Sequence, residues 1–192
     1  MTPVPLGSPE ETTAELLAVL RRVKGRDAAR DPALEIAATD AAELAHRQRA
    51  GLLAVVEHPD ADPAVLMAWM TPLDRALDPG SAVGLGRHLA DSGGPDIREV
   101  TRTTTAAGHP AVIVERITIT GAQLQVVVVD ERRPRVAVFT LHSPTGRGWL
   151  DVAALTGRFV GGLDLTADGS APGTRGASRR PLSGTSGRSA PR

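Results

Sequence analysis

The chain has 192 residues, no net formal charge and no cysteine, which excludes disulfide bonds, thiolate metal sites and a cysteine nucleophile. The length predicts one domain, and a hydrophobic fraction of 41% is enough to build a core. The N-terminus lacks the pattern of a signal peptide, and no apolar run approaches the roughly 20 residues of a membrane helix. We therefore expect a cytoplasmic protein without membrane insertion.

The first half of the chain predicts two helices followed by a β-hairpin. Ser8 and Glu11 have the spacing of a capping box, so the first helix is expected to follow a loose arm at residues 1–7. Residues 34–38 are compatible with either a short strand or a helical turn. The apolar runs on either side of the turn residues His58 to Pro63 predict the hairpin. The expected ranges are 9–24 and about 41–50 for the helices, and 52–57 and 64–71 for the strands.

The second half predicts a helix, an edge strand, a three-stranded meander and a closing helix. The helix starts after Asp78-Pro79-Gly80-Ser81, and the polar, threonine-rich residues 97–105 are typical of an edge strand. Three β-branched runs between Pro110 and His142, separated by turn residues, predict antiparallel strands. From Trp149 to Leu163 the apolar residues return at helical spacing.

These elements predict the α+β class: one domain at residues 1–167, with a mainly antiparallel sheet of about six strands and packed helices. Residues 168–192 are rich in Gly, Ser, Pro and Arg and are predicted to be disordered. Residues 1–168 hold all 22 acidic residues and 17 of the basic ones, a net charge of −5, and the last five arginines lie in the tail. Because these arginines are dispersed and lack aromatic neighbours, we do not expect nucleic acid as a partner.

Two short motifs resemble functional signatures without predicting either function. The segment Ala90-Asp91-Ser92-Gly93-Gly94-Pro95 matches five of six positions around the nucleophile of chymotrypsin-like proteases, but no histidine has that family's setting. We interpret it as a helix end. The segment from Val83 to Leu89 contains two glycines of a dinucleotide fingerprint and lacks the third, so it predicts helix glycines that allow close packing.

His142 and Glu115 are the candidates for a ligand or partner surface. His142 stands where the last strand gives way to the Ser143-Pro144 loop. Glu115 lies in the middle of a strand, and we expect a cross-strand ion pair there in preference to catalysis. The five histidines show no His-x-His or His-x-x-x-His pair, so neither a metal site nor a cofactor is predicted.

The end of the chain resembles the PsbP-like superfamily, which includes photosystem extrinsic protein P, the Ran-binding Mog protein and actinobacterial Lpq-type lipoproteins. The resemblance rests on the segment from Val136 to Pro144 and on the apolar helix predicted from Trp149 to Leu163. The resemblance covers about 110 residues and implies an antiparallel sheet with helices on its faces. It also implies adaptor or accessory roles without catalysis. No binding residue is carried over, and this chain lacks the signal peptide and lipobox cysteine of secreted members.

Two functional hypotheses follow. The first is a non-catalytic cytoplasmic interaction or accessory module with an unidentified protein partner, favoured because the sequence shows no catalytic constellation. Arginine makes up 21 of the 22 basic residues, a bias typical of GC-rich coding, as in actinobacteria. The alternative is a small-molecule-binding protein or small enzyme that uses a cavity between sheet and helices. A polar pocket lined by His142 or Glu115 would favour the alternative, and an exposed apolar patch would favour the first.

Overall fold

The computed structural model shows an antiparallel sheet with helices on both faces, in the part of the chain that it describes: residues 1–25, 31–75, 80–92, 94–119 and 121–166. The predicted α+β class is confirmed, with seven strands in these residues instead of about six. The predicted disordered tail, 168–192, lies outside the described residues. The strands are β1 (Thr2–Pro3), β2 (Leu52–Val56), β3 (Ala64–Pro72), β4 (Ile97–Thr104), β5 (Pro110–Thr118), β6 (Gly121–Asp130) and β7 (Arg135–Ser143), and the helices are α1 (Pro9–Lys24), α2 (Ala33–Arg47), α3 (Ser81–Ser92) and α4 (Trp149–Gly161).

The strand order is β1-β2-β3-β7-β6-β5-β4. The β2–β3 hairpin, the β5–β6–β7 meander and the edge position of β4 are confirmed. The loose arm predicted at residues 1–7 is wrong at its start, because Thr2 and Pro3 pair with β2. The Val4 N–H continues this pairing with a 2.8 Å bond to the Leu53 carbonyl, and its side chain is buried. Burial of Val4 accounts for the ordering of this short arm.

The two N-terminal helices show where local signals are sufficient and where they are not. Helix α1 has the predicted bounds and the predicted capping box, in which Ser8 Oγ accepts from the Glu11 N–H. Helix α2 begins at Ala33, so the ambiguous residues 34–38 are helical and the predicted start near residue 41 is wrong. Its buried residues recur at helical spacing: Leu34, Ala38, Ala42 and Ala45.

The alternation of side chains along each strand divides the core between the two faces of the sheet. On one face α4 packs on a cluster that includes Leu66, Leu124, Phe139 and Leu141. On the other face α1 and α2 pack over β2 and β3, and α3 packs beside β4 and β5. No described helix covers the middle of this second face, between α2 and α3.

Both short motifs belong to helix α3 and its end, as predicted. Gly84 and Gly86 lie inside the helix. A Cβ on Gly86 would be 3.2 Å from the side chain of Arg102 on β4, so the glycine permits close packing of helix and strand. After the last helical residue, Ser92, Gly94 adopts a φ of +68°. The predicted cap residue, Gly93, lies outside the described residues.

The segment that follows α4 is fastened to the sheet by two hydrogen bonds at Leu165. Its N–H donates to His109 Nε2 at 3.1 Å, and its carbonyl accepts from Arg135 Nη2 at 3.0 Å. Arg135 also forms a 2.8 Å ion pair with Asp130, whose side chain is 1% exposed. Burial by itself raises the pKa of Asp130. The Arg135 guanidinium and nearby backbone N–H groups outweigh burial, so this pKa lies below its usual value.

Candidate functional site

A groove of about 590 Å³ lies between α2 and the uncovered middle of the sheet. We call it the α2 groove. Its wall is one side of helix α2, and its floor is formed by residues of β3, β6 and β7 and by the loop after β7. The wall residues are Ala33, Ile36, Ala37, Asp40, Ala41 and Leu44, and the floor residues are Val65, Met67, Gln123, Thr140, His142 and Pro144.

The wall of the α2 groove is apolar because α2 carries more apolar residues than it buries in the core. One stripe of the helix packs on the sheet, and a neighbouring stripe of alanines, with Ile36 and Leu44, faces the groove. The side chain of Ile36 is 64% exposed at the rim. A concave surface lined mostly by apolar side chains is typical of a ligand-binding site.

Part of the floor, on β6 and β7, is polar, although it lies in the middle of the sheet. Gln123 on β6 is directly opposite His142 on β7, and Gln125 is directly opposite Thr140. On the other side of β6, Gln123 is opposite Arg116 on β5. Because opposed residues of antiparallel strands share a face, these five side chains form one polar band. Its members are Arg116, Gln123, Gln125, Thr140 and His142, and we call it the polar floor.

Thr140 is the most unusual member of the polar floor. Its side chain is 8% exposed, and its hydroxyl has no hydrogen-bond partner among the described residues. A buried hydroxyl without a partner costs about 1–3 kcal/mol. Thr156 on α4, against the opposite face of the sheet, has the same defect. The fold thus retains an unsatisfied polar group at the groove.

Replacing Thr140 with Val is expected to raise the free energy of unfolding by about 1 kcal/mol, because the substitution removes a buried hydroxyl that has no partner. Thr156→Val is the matched control and should stabilise to a similar extent, since the side chain of Thr156, 1% exposed, also has a hydroxyl without a partner. Urea denaturation of both variants measures the effect. A loss of stability in Thr140→Val alone would show that its hydroxyl is bonded in solution.

The two residues predicted for a ligand or partner surface lie on opposite faces of the sheet. His142 lines the α2 groove and is exposed. Glu115 lies on the α4 face, where it accepts a hydrogen bond from Trp149 Nε1. Its carboxylate is also 3.6 Å from the Arg98 guanidinium on the neighbouring strand, which is the expected cross-strand ion pair. Glu115 therefore anchors the first turn of α4, and the structure does not bring it to the groove.

Substitution of Glu115 with Ala is expected to lower the free energy of unfolding by about 1–3 kcal/mol, because the buried indole N–H of Trp149 loses its acceptor. Glu115→Gln keeps an acceptor oxygen and should cost less than about 1 kcal/mol. Thermal unfolding followed by tryptophan fluorescence compares the two variants. Equal losses would mean that the charge, and not the hydrogen bond to the indole, stabilises this contact.

Two polar contacts outside the α2 groove have roles in the fold. His46 Nε2 is 3.0 Å from the hydroxyl of Thr12, which is fully buried between α1 and α2 and inaccessible to a substrate. Asp62 accepts hydrogen bonds from Thr145 and Arg147, and so holds the loop after β7. The described residues contain no group of three or more metal-ligating side chains, and none of the helices described is long and apolar enough to cross a membrane.

Sequence reasoning found His142 but missed the rest of the polar floor. The missed signal is the alternation in β6, where Gln123 and Gln125 stand on one face and Leu124 and Val126 on the other. Two glutamines at a spacing of two in an interior strand indicate a polar surface where a core is expected. The contribution of α2 has no such signal, because the wall and floor are remote in the sequence.

Comparisons with known proteins add no relatives: no protein-family model matches the chain, and no curated protein matches it.

Proposed function

We propose that this protein is a non-catalytic binding module with an accessory role, and that the α2 groove is its binding site. The observation that carries the proposal is that one groove combines an exposed apolar wall with polar floor residues, among them Thr140 with its unsatisfied hydroxyl. Burial of the wall supplies affinity, and the few polar groups of the floor supply orientation. The absence of cysteine from the whole sequence supports a cytoplasmic location.

The size of the groove favours a small molecule as the occupant. A volume of about 590 Å³ lies within the roughly 300–1,000 Å³ typical of small-molecule sites. A stable protein partner would need about 800 Å² on each side, which extends well beyond such a groove. We therefore combine the two hypotheses: the protein binds a small molecule in a cavity between sheet and helices, and it acts as a non-catalytic module.

We also propose that the chain is a divergent member of the PsbP-like superfamily. Two features support this proposal: the antiparallel sheet with helices on both faces, and the passage of β7 through Ser143-Pro144 into α4, which packs back on the sheet. The roles that the resemblance implies, adaptor and accessory subunit, agree with a non-catalytic module. An experimental structure whose strand order differs from that of superfamily members would overturn the assignment.

The test of the binding site is to fill it. Ala37 lies on the groove wall, so Ala37→Phe should occupy the space and abolish the binding of an environment-sensitive apolar dye. Ala154→Phe on the exposed side of α4 is the matched control and should leave binding unchanged. Equal dye binding by the wild type and both variants would refute the groove as the site. Mass spectrometry should recover bound compounds unchanged, and any enzyme-dependent product would refute the non-catalytic role.

A further inference from the structure

We propose that the α2 groove binds a small amphipathic acid, with its carboxylate at Arg116 and Gln123 and its apolar chain along α2. This assignment rests on the proposed function, because it names the ligand class of the same groove. It draws on three observations: the charges around the groove, the polar groups of its floor, and the composition of its wall.

Arg116 is the cation of the polar floor. It lies directly opposite Gln123, one strand beyond the groove, and its side chain is partly buried. Arg116 has no ion pair and no side-chain hydrogen bond with any described residue. Three other cations near the groove or sheet are each paired with an aspartate: Lys24 with Asp31, Arg135 with Asp130, and Arg147 with Asp62. A partly buried guanidinium without an acid is suited to bind a carboxylate from a ligand.

The neutral groups of the floor complete the head-group site. The side-chain amides of Gln123 and Gln125 form no hydrogen bond with any described residue, so each has N–H donors for a carboxylate oxygen. The hydroxyl of Thr140, opposite Gln125, is also without a described partner and lies beneath the same floor. A bound head group could accept hydrogen bonds from the partly buried amides of Gln123 and Gln125, which have no partner among the described residues.

The wall determines the orientation of the ligand. Asp40 is the acidic residue of the wall and is exposed between Ile36 and Leu44 on the rim. A carboxylate is repelled by Asp40 and attracted by Arg116, so the head group lies on the sheet side and the apolar chain lies against α2. Among the described residues, no Phe, Tyr or Trp side chain lines the groove; with the imidazole of His142 as the one ring there, the alanine-rich wall favours an aliphatic chain over a large planar ring.

The dimensions fit a straight chain of moderate length. Between Arg116 on β5 and the wall above β3 the ligand crosses β6 and β7, which is three interstrand spacings or about 14 Å. Each methylene buried along this path should tighten binding about fourfold. Affinity should therefore rise with chain length and level off when the groove is full.

The test uses matched chains with different head groups, all below their micelle concentrations. Titration calorimetry with octanoate, decanoate and dodecanoate should show the rise of about fourfold per methylene. Decanoate should bind at least tenfold more tightly than decanol or decyltrimethylammonium, because only the carboxylate pairs with Arg116. Arg116→Gln should remove this head-group preference and keep the chain-length dependence. Arg158→Gln, an exposed charge on α4, should change neither.

The outcomes separate this proposal from the one on which it rests. If the three head groups bind the wild type equally and Ala37→Phe abolishes all binding, the groove stands and the acid is wrong. If Arg116→Gln still binds decanoate more tightly than decanol by the same margin as the wild type does, the head-group site is wrong. If none of the straight-chain compounds binds but Ala37→Phe still abolishes binding of the apolar dye, the straight-chain ligand is overturned. The groove then remains the proposed binding site. If the dye fails that test as well, the proposed function is also refuted.

Discussion

Replacing Asp130 with Ala is expected to lower the free energy of unfolding by about 3 kcal/mol. The carboxylate is almost fully buried and pairs with Arg135 at 2.8 Å. Its removal leaves the partly buried guanidinium uncompensated and deprives the Arg132 N–H of its acceptor. Arg135 also holds the carbonyl of Leu165, so the segment after α4 should loosen as well. Urea denaturation measures the loss, and a change below about 1 kcal/mol would contradict this account.

The same ion pair predicts a dependence on pH that Asp130→Asn isolates. Because the folded-state pKa of Asp130 is lowered, its contribution is complete above the unfolded value of about 3.9 and is lost as the pH falls through the folded value. The stability difference between the wild type and Asp130→Asn should be constant from about pH 5 to 7 and shrink below about pH 3.9. Asp31 and Asp164 also have a lowered pKa, but they titrate in both proteins and cancel. A difference that does not depend on pH would show that Asp130 is not the titrating group.

The elements predicted correctly are those whose signal is local and strong. The β-branched runs of β5, β6 and β7 and the capping box of α1 specify their conformations within a few residues, and both were predicted. Strand β1 was missed because two residues carry no periodicity, and its pairing depends on β2, far along the chain. The start of α2 was missed because residues 34–38 are compatible with strand and helix, and only packing on α1 and β2 selects the helix.

The candidate site was predictable at one residue, for a physical reason. His142 was identified by its position at the end of a strand, and it lines the groove. The wall, however, is the side of α2 left over after Leu34 and Ala38 are buried, which depends on how the helix is rotated on the sheet. Glu115 has the same strand context as its neighbour Arg116, and only the register decides which of the two faces the α2 side.

Gly121 is the residue at which backbone geometry supports the groove most directly. It begins β6 with a φ of +122°, a conformation that side chains other than glycine rarely adopt. A Cβ there would lie 2.2 Å from the Ser143 carbonyl oxygen and 2.8 Å from that of Pro144. Both neighbours are backbone atoms, which cannot turn aside as a flexible side chain can. The start of β6 and the end of β7 are therefore in close contact at Gly121.

Gly121→Ala is expected to lower the free energy of unfolding by about 3–5 kcal/mol, because strain at a positive φ adds to a backbone clash. Gly157→Ala is the matched control: Gly157 lies within α4 with no atom near the added Cβ, so it should stabilise by about 0.5–1 kcal/mol. Urea denaturation of both variants tests the prediction, and equal effects would contradict it. Pro144 forms part of the groove floor, so the folded fraction of Gly121→Ala should also bind the apolar dye more weakly. Gly157→Ala should bind the dye as the wild type does. Weakened dye binding in this variant alone would show that the close contact of Gly121 with the backbone of Ser143 and Pro144 sets the shape of the site.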